Sequence, residues 1–286
     1  MLRRLYVFAA LVLATVTFAQ ERIQDVIYLK EGGAAFTMDV FKPKTPNGAA
    51  VVYMVSGGWV SNHDMINKEL AGVLNNAGYT VFEVVHGSQP LYKIPMIEHQ
   101  ITRAMRFIHA NASKYGVDDK RLAITGISSG GHLSLITAAM GDEGNPDAKD
   151  PIDKFPSSVK TVAVFMPPTD FLNWGKVGAE PSTSTDMDPF RPAFGAPDNA
   201  TPAQITEIFK LVSPINYLTP KFPPCLLIHG SDDPLVPVQQ SEIFRDAVVK
   251  LGGTCELLVV KGGKHDGVTV AGGLLKYMAW LNDHLK

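Results

Sequence analysis

The chain has 286 residues, 45% of them hydrophobic and 19% charged, proportions that exclude a disordered or fibrous protein and, at roughly 100–200 residues per domain, allow one large domain or two small ones. Lys and Arg number 26 against 28 Asp and Glu, a formal charge of −2, which offers no basic footprint for nucleic acid or anionic lipid. Two cysteines in all exclude a disulfide scaffold and a Cys-rich zinc module.

At the amino terminus Arg3 and Arg4 precede an apolar run from Leu5 to Leu13 and small residues ending Thr17-Phe18-Ala19. This is the pattern of a secretory signal cut near Ala19. The run is too short for a spanning helix, so the expectation is an exported protein, periplasmic or secreted, with no membrane span in its mature form. From Val26 onward, β-type runs alternate with helical periodicity. The strand candidates in chain order are 26–29, 36–41, 50–55, 80–85, 122–125, 161–165, 225–229 and 256–260. Several, such as Ala-Ala-Val-Val-Tyr-Met-Val, are unbroken apolar runs, as central parallel strands covered on both faces require. Helices are predicted over 68–77, 98–115, 131–140, 238–251 and 273–285. That alternation predicts one α/β domain over residues 20–286, with a mostly parallel sheet and helices on both faces. Between Pro167 and Pro220 it lapses into a stretch rich in Pro, Ser, Thr, Asp and Asn, read as a lid-like excursion ahead of the last two strands. Phe171, Trp174, Phe190 and Phe194 within it are candidates either for a binding-pocket wall or for the excursion's own small core.

Gly126-Ile127-Ser128-Ser129-Gly130 follows an apolar strand directly and opens a helix. A serine between glycines at such a junction is a nucleophile elbow: the tight turn excludes side chains two positions away and lifts the hydroxyl to the helix N-terminus. Serine is a poor nucleophile without a base, and the base needs an acid to orient it. In this architecture acid and base follow in the order Ser, Asp or Glu, His, each beyond a strand end. Asp233, in His229-Gly230-Ser231-Asp232-Asp233-Pro234-Leu235-Val236-Pro237, is the candidate acid, and His265, in the glycine-rich loop after the last strand, the candidate base. His229 and His132 are read as structural. Ser56-Gly57-Gly58-Trp59 lies where backbone donors for an oxyanion are needed; Gly57, Gly58 and Trp59 are the candidates there, with the Ser129 amide as their partner.

These segments together resemble the α/β-hydrolase superfamily, and within it the bacterial carboxylesterases of the hormone-sensitive-lipase-like and feruloyl/acetyl xylan esterase group. Ser213-Pro214-Ile215-Asn216-Tyr217 ahead of Pro223-Pro224-Cys225, and Tyr115-Gly116-Val117-Asp118 ahead of Arg121-Leu122-Ala123, match that group as well. Its acid motif, His-Gly-x-x-Asp-x-x-Val-Pro, falls on Asp233 rather than Asp232. The group's His-Gly-Gly-Gly-Trp loop reads Val55-Ser56-Gly57-Gly58-Trp59, without the leading histidine and first glycine. The resemblance implies a serine hydrolase cleaving carboxylic esters through an acyl-enzyme, with a small-molecule or polysaccharide-linked substrate and no cofactor. Two alternatives share the fold: a prolyl-oligopeptidase-like peptidase or an amidase such as a formamidase, and a non-catalytic hydrolase-like binding protein. Cys225 and Cys255 open neighbouring strands, where a disulfide fits poorly, and are expected to be buried free thiols.

Overall fold

The computed structural model describes residues 21–179 and 189–286; the proposed signal over residues 1–19 lies outside the described residues. Eight strands form one sheet: β1 (Glu21–Glu31), β2 (Ala34–Lys42), β3 (Ala50–Val55), β4 (Thr80–Val85), β5 (Leu122–Ile127), β6 (Thr161–Phe165), β7 (Cys225–Gly230) and β8 (Cys255–Val260). Their spatial order is β1-β2-β4-β3-β5-β6-β7-β8. The pairs β1/β2 and β2/β4 are antiparallel, and every pair from β4/β3 to β7/β8 is parallel. The central strands β3, β4 and β6 are buried along their whole length, so the apolar runs reflect cover on both faces. One face packs on α2 (Ile94–Asn111), α3 (Ser129–Met140) and α6 (Gln239–Lys250), through residues such as Ile97, Leu133 and Phe244. The other packs on α1 (Lys68–Asn76) and α7 (Gly267–His284), through Leu74, Tyr277 and Leu281.

Two helices start four or more residues earlier than the periodicity predicts. α2 begins at Ile94 and carries Pro95 in its first turn, where proline's missing N–H has no partner to lose. α7 begins at Gly267, because Asp266 caps it by accepting from the Val268 and Thr269 amides. Gly272 and Gly273 lie inside this helix and do not mark its start: a Cβ at Gly273 would sit 2.5 Å from Ile228 Cγ2, and one at Gly272 2.9 Å from Val260 Cγ1. The glycines let α7 lie directly on β7 and β8, and the resulting contact offsets their poor helix propensity. Cys225 and Cys255 are register partners on those two strands; both are buried free thiols.

Between β6 and β7 the chain leaves the sheet and forms α4 (Arg191–Phe194) and α5 (Pro202–Val212). α5 starts with a capping box between Thr201 and Gln204, which satisfies two otherwise orphaned donors. The root of the excursion is fixed to α6, where Gln240 Oε1 accepts the amides of Thr169 and Asp170 at 2.9 and 2.8 Å. Phe194 packs edge to face against both Phe171 and Phe209 beneath it, and all three join the main core.

Candidate active site

Ser128 lies at the β5–α3 junction, where the strand must become a helix within one residue. Its backbone is driven to φ 56° and ψ −121°, a conformation that costs a non-glycine residue on the order of 1–3 kcal/mol. Surrounding contacts hold it there. The Ser128 amide donates to the Phe165 carbonyl at 2.8 Å, and its carbonyl accepts from the His132 amide at 2.9 Å. A Cβ on Gly126 would collide with the Gly130 backbone, and one on Gly130 would come within 2.7 Å of the Met54 carbonyl. The two flanking glycines are therefore required by contact as well as by the turn.

The loops that carry Asp233 and His265 are pressed against each other at the ends of β7 and β8. A Cβ on Gly230 would collide with the Gly263 carbonyl oxygen and one on Gly263 with Thr269 Oγ1, and the Asp232 amide donates to the Gly263 carbonyl at 2.9 Å. This brings the three residues expected from motif order into one hydrogen-bonded line. His265 Nε2 is 2.8 Å from Ser128 Oγ, and His265 Nδ1 is 2.7 Å from Asp233 Oδ2. Because a carboxylate only accepts, Nδ1 carries the proton and Nε2 is left to accept from the serine hydroxyl. The Asp233 side chain is 0% exposed against 16% for His265, so the line runs from a dry end to a wet one. Asp233 Oδ1 takes the Leu235 and Val236 amides, each at 2.9 Å. Burial by itself would raise the Asp233 carboxyl, but hydrogen bonds from His229, His265 and the Val236 amide outweigh it and hold the group well below the usual carboxylate range. Asp232 points away and accepts from the Ser231 hydroxyl. Asp266, adjacent to His265, is committed to capping α7. His229 is a buried support: its Nε2 donates to the Val236 carbonyl at 2.9 Å and its Nδ1 meets Ser241 Oγ at 2.7 Å.

The Gly57–Trp59 loop corrects one expectation. The Gly57 amide donates to the Val60 carbonyl at 2.9 Å, and the reverse bond closes at 3.0 Å, so Gly57 is not available as an oxyanion donor. Gly58 and Trp59 follow with φ of 58° and 60°, and their carbonyls accept from the Gln89 side chain and amide respectively. The candidate donors narrow to the amides of Gly58, Trp59 and Ser129. Ser56, at the position of the resembled group's first glycine, places its hydroxyl 3.0 Å from Ser129 Oγ. It thereby ties the loop to the elbow, a role that no local sequence signal announces.

Beside Ser128 is a small recess lined by Gly58, Trp59, Trp174, Phe190 and Leu235, with a water-accessible volume of about 20 Å³, room for one small group. The four excursion aromatics thus divide. Phe171 and Phe194 belong to the core, whereas Trp174 and Phe190 face the recess, with the Phe190 ring laid so closely on Gly58 that a Cβ there would collide with it. Among the described residues no group of three or more His, Cys, Asp and Glu side chains is arranged to hold a metal ion, and no helix is long and apolar enough to cross a membrane.

A mostly parallel eight-stranded sheet, with a serine elbow after β5, a buried aspartate after β7 and a histidine after β8, defines the α/β-hydrolase fold. The chain belongs to the BD-FAE family, whose model matches residues 38–248. It is 33% identical over 187 residues to endo-1,4-beta-xylanase B of Butyrivibrio fibrisolvens, a match covering 64% of this chain and 26% of that protein. It is 27% identical over 272 residues to an acetylxylan esterase of Xylanibacter ruminicola, covering 92% of this chain and 50% of that protein. The chain therefore spans half or less of the length of these two relatives. Among solved structures, a truncated carbohydrate esterase from gut microbiota superposes with a TM-score of 0.77 at 22% identity, over 93% of this chain and 96% of that one.

Proposed function

We propose that the protein is a serine esterase that removes short acyl groups, with alcohols on a polysaccharide as the leaving side. Ser128 Oγ attacks the acyl carbon as His265 Nε2 takes its proton. The imidazolium formed is balanced by the Asp233 carboxylate. The amides of Ser129 and Gly58, with Trp59, receive the negative oxygen of the tetrahedral intermediate, each donor contributing about 3–4 kcal/mol at the transition state. The intermediate collapses to the acyl-enzyme as His265 returns the proton to the departing alkoxide. A water molecule, deprotonated by His265, then releases the acid and restores the serine.

The observation that carries this reading is the unbroken line Ser128 Oγ, His265 Nε2, His265 Nδ1, Asp233 Oδ2, with links of 2.8 and 2.7 Å. Short acyl groups are favoured by the recess of about 20 Å³, and a polysaccharide alcohol by the acetylxylan esterase among the relatives. Export rests on the Arg3–Ala19 pattern, and Trp174 and Phe190 of the excursion serve as a wall of the acyl site. The expected outcome is that the wild-type chain hydrolyses p-nitrophenyl acetate and acetylated xylan, and that Ser128→Ala loses this activity with its thermal unfolding unchanged. Hydrolysis retained in Ser128→Ala would overturn the reading.

A further inference from the structure

The oxyanion-loop conformation needs an external hold. Trp59 is a bulky residue at φ 60°, directly after Gly58 at φ 58°, and left-handed backbone is strained for such a residue. Its indole is 2% exposed, and the single polar atom of that ring, the Nε1–H, donates to His132 Nδ1 at 3.2 Å. On its other side His132 Nε2 is 2.7 Å from the Val212 carbonyl. A carbonyl only accepts and an indole N–H only donates, so His132 must be neutral with its proton on Nε2. Burial agrees with this, pushing its pKa down to about 4. The imidazole meets Trp59 edge to face at 5.4 Å between ring centres, and lies 5.5 Å from the ring centre of Phe171.

We infer that His132 is a positioning residue: through the Trp59 indole it holds the Gly58 and Trp59 amides in the orientation that receives the oxyanion, and its tautomer is set by Val212 at the end of α5. The elbow helix, the oxyanion loop and the excursion thus meet at one imidazole. A displaced α5 would free Nε2, allow the tautomer to change, and leave the indole facing another donor. This inference rests on the acyl-transfer reading of the site.

The test compares wild type with His132→Phe, His132→Asn, Trp59→Phe and the double variant His132→Phe/Trp59→Phe. The readouts are kcat and KM on p-nitrophenyl acetate, thermal unfolding, and amide hydrogen exchange across residues 56–60. Phe keeps the ring and removes both hydrogen bonds, whereas Asn keeps an acceptor near the position of Nδ1. His132→Phe is expected to lower kcat by about 10- to 100-fold with KM within about twofold, the range below full loss of one oxyanion donor. Trp59→Phe is expected to lose a similar amount, the double variant no more than the worse single one, and His132→Asn to recover part of kcat. Exchange at 56–60 should accelerate in His132→Phe. Folded His132→Phe with kcat within twofold of wild type, or single losses that multiply in the double variant, would overturn the proposal. If Phe at 132 does not fold, unchanged kcat in Trp59→Phe overturns it from the other side of the same bond. If the wild type hydrolyses no ester, the acyl-transfer reading is what has failed. The hold on the loop is then decided by hydrogen exchange, where unchanged rates at 56–60 in the variants refute it.

Discussion

Replacing Asp233 by Asn separates orientation from packing. The amide oxygen can keep both backbone donors, Leu235 and Val236, so the loop retains its shape. The amide nitrogen then faces His265 Nδ1, where Asp233 Oδ2 stood at 2.7 Å. Two N–H groups cannot face each other there, so the imidazole turns to the tautomer with its proton on Nε2, which cannot accept from Ser128. Returning the ring to the productive tautomer breaks the new bond from the Asn amide and leaves two N–H groups facing each other, at a cost of about 2 kcal/mol. Losing the attraction between imidazolium and carboxylate, about 4 Å between charge centres at an effective dielectric of 20, costs about 4 kcal/mol more. Together, about 6 kcal/mol corresponds to a fall in kcat of roughly 10⁴-fold. In the ground state the turned ring accepts from the Asn amide, so a charged hydrogen bond gives way to a neutral one at a cost of about 1 kcal/mol, which lowers Tm by roughly 2–4 °C. Initial rates on p-nitrophenyl acetate and a thermal melt measure both quantities. Asp232→Asn is the internal control, because that carboxylate touches only the Ser231 hydroxyl among the described residues, and it should behave as wild type. A loss smaller than tenfold in Asp233→Asn, or an equal loss in Asp232→Asn, would refute the reasoning.

Two further predictions concern the recess and the core. Phe190→Ala removes the ring lying on Gly58 and opens the recess, so the ratio of kcat/KM for butyrate over acetate esters should rise by about tenfold or more, each accommodated methylene being worth roughly 1–3 kcal/mol; an unchanged chain-length profile would show that Phe190 does not set it. Glu83 is buried in β4, with only the Asn67 amide on its Oε2 at 2.6 Å, and burial, aided by nearby Asp39, raises its pKa from 4.5 to about 7. The folded state therefore holds this proton to higher pH than the unfolded state does, and the stability it contributes is complete below about pH 4.5 and lost as pH rises through 7, a change on the order of 3 kcal/mol. Urea unfolding should show Glu83→Gln gaining that amount on wild type between pH 4.5 and pH 8; a pH-independent difference would count against the assignment.

The parts of the molecule legible in its sequence are those fixed by neighbours in the chain. Unbroken apolar runs mark β3 and β6 because their burial is complete, β4 is as fully buried although Glu83 interrupts its run, and the Gly-x-Ser-x-Gly spacing marks a turn whose glycines are required within five residues of each other. Ser128, Asp233 and His265 stand out by their order after strand ends, and that order is a property of the topology. What escaped detection depends on distant partners. Pro95 and the Gly272–Gly273 pair look like helix breakers until the free first turn of α2 and the contact of α7 with Ile228 and Val260 are seen. Gly57 looks like an oxyanion donor until its bond to Val60 is seen. His132 looks like ordinary helix packing because its partner Val212 lies 80 residues away. The aromatics of the excursion divide only in three dimensions for the same reason, since the rings they meet include Trp59 in the loop after β3 and His132 on α3.

The central claim is that Ser128 forms the covalent acyl-enzyme, and intact-protein mass measurement with peptide mapping after reaction with a fluorophosphonate tests it most directly. The account predicts one adduct per chain, located on Ser128 and not on Ser129, appearing in step with loss of p-nitrophenyl acetate hydrolysis and absent from Ser128→Ala. An adduct on another residue, or complete inactivation with Ser128 unmodified, would contradict it.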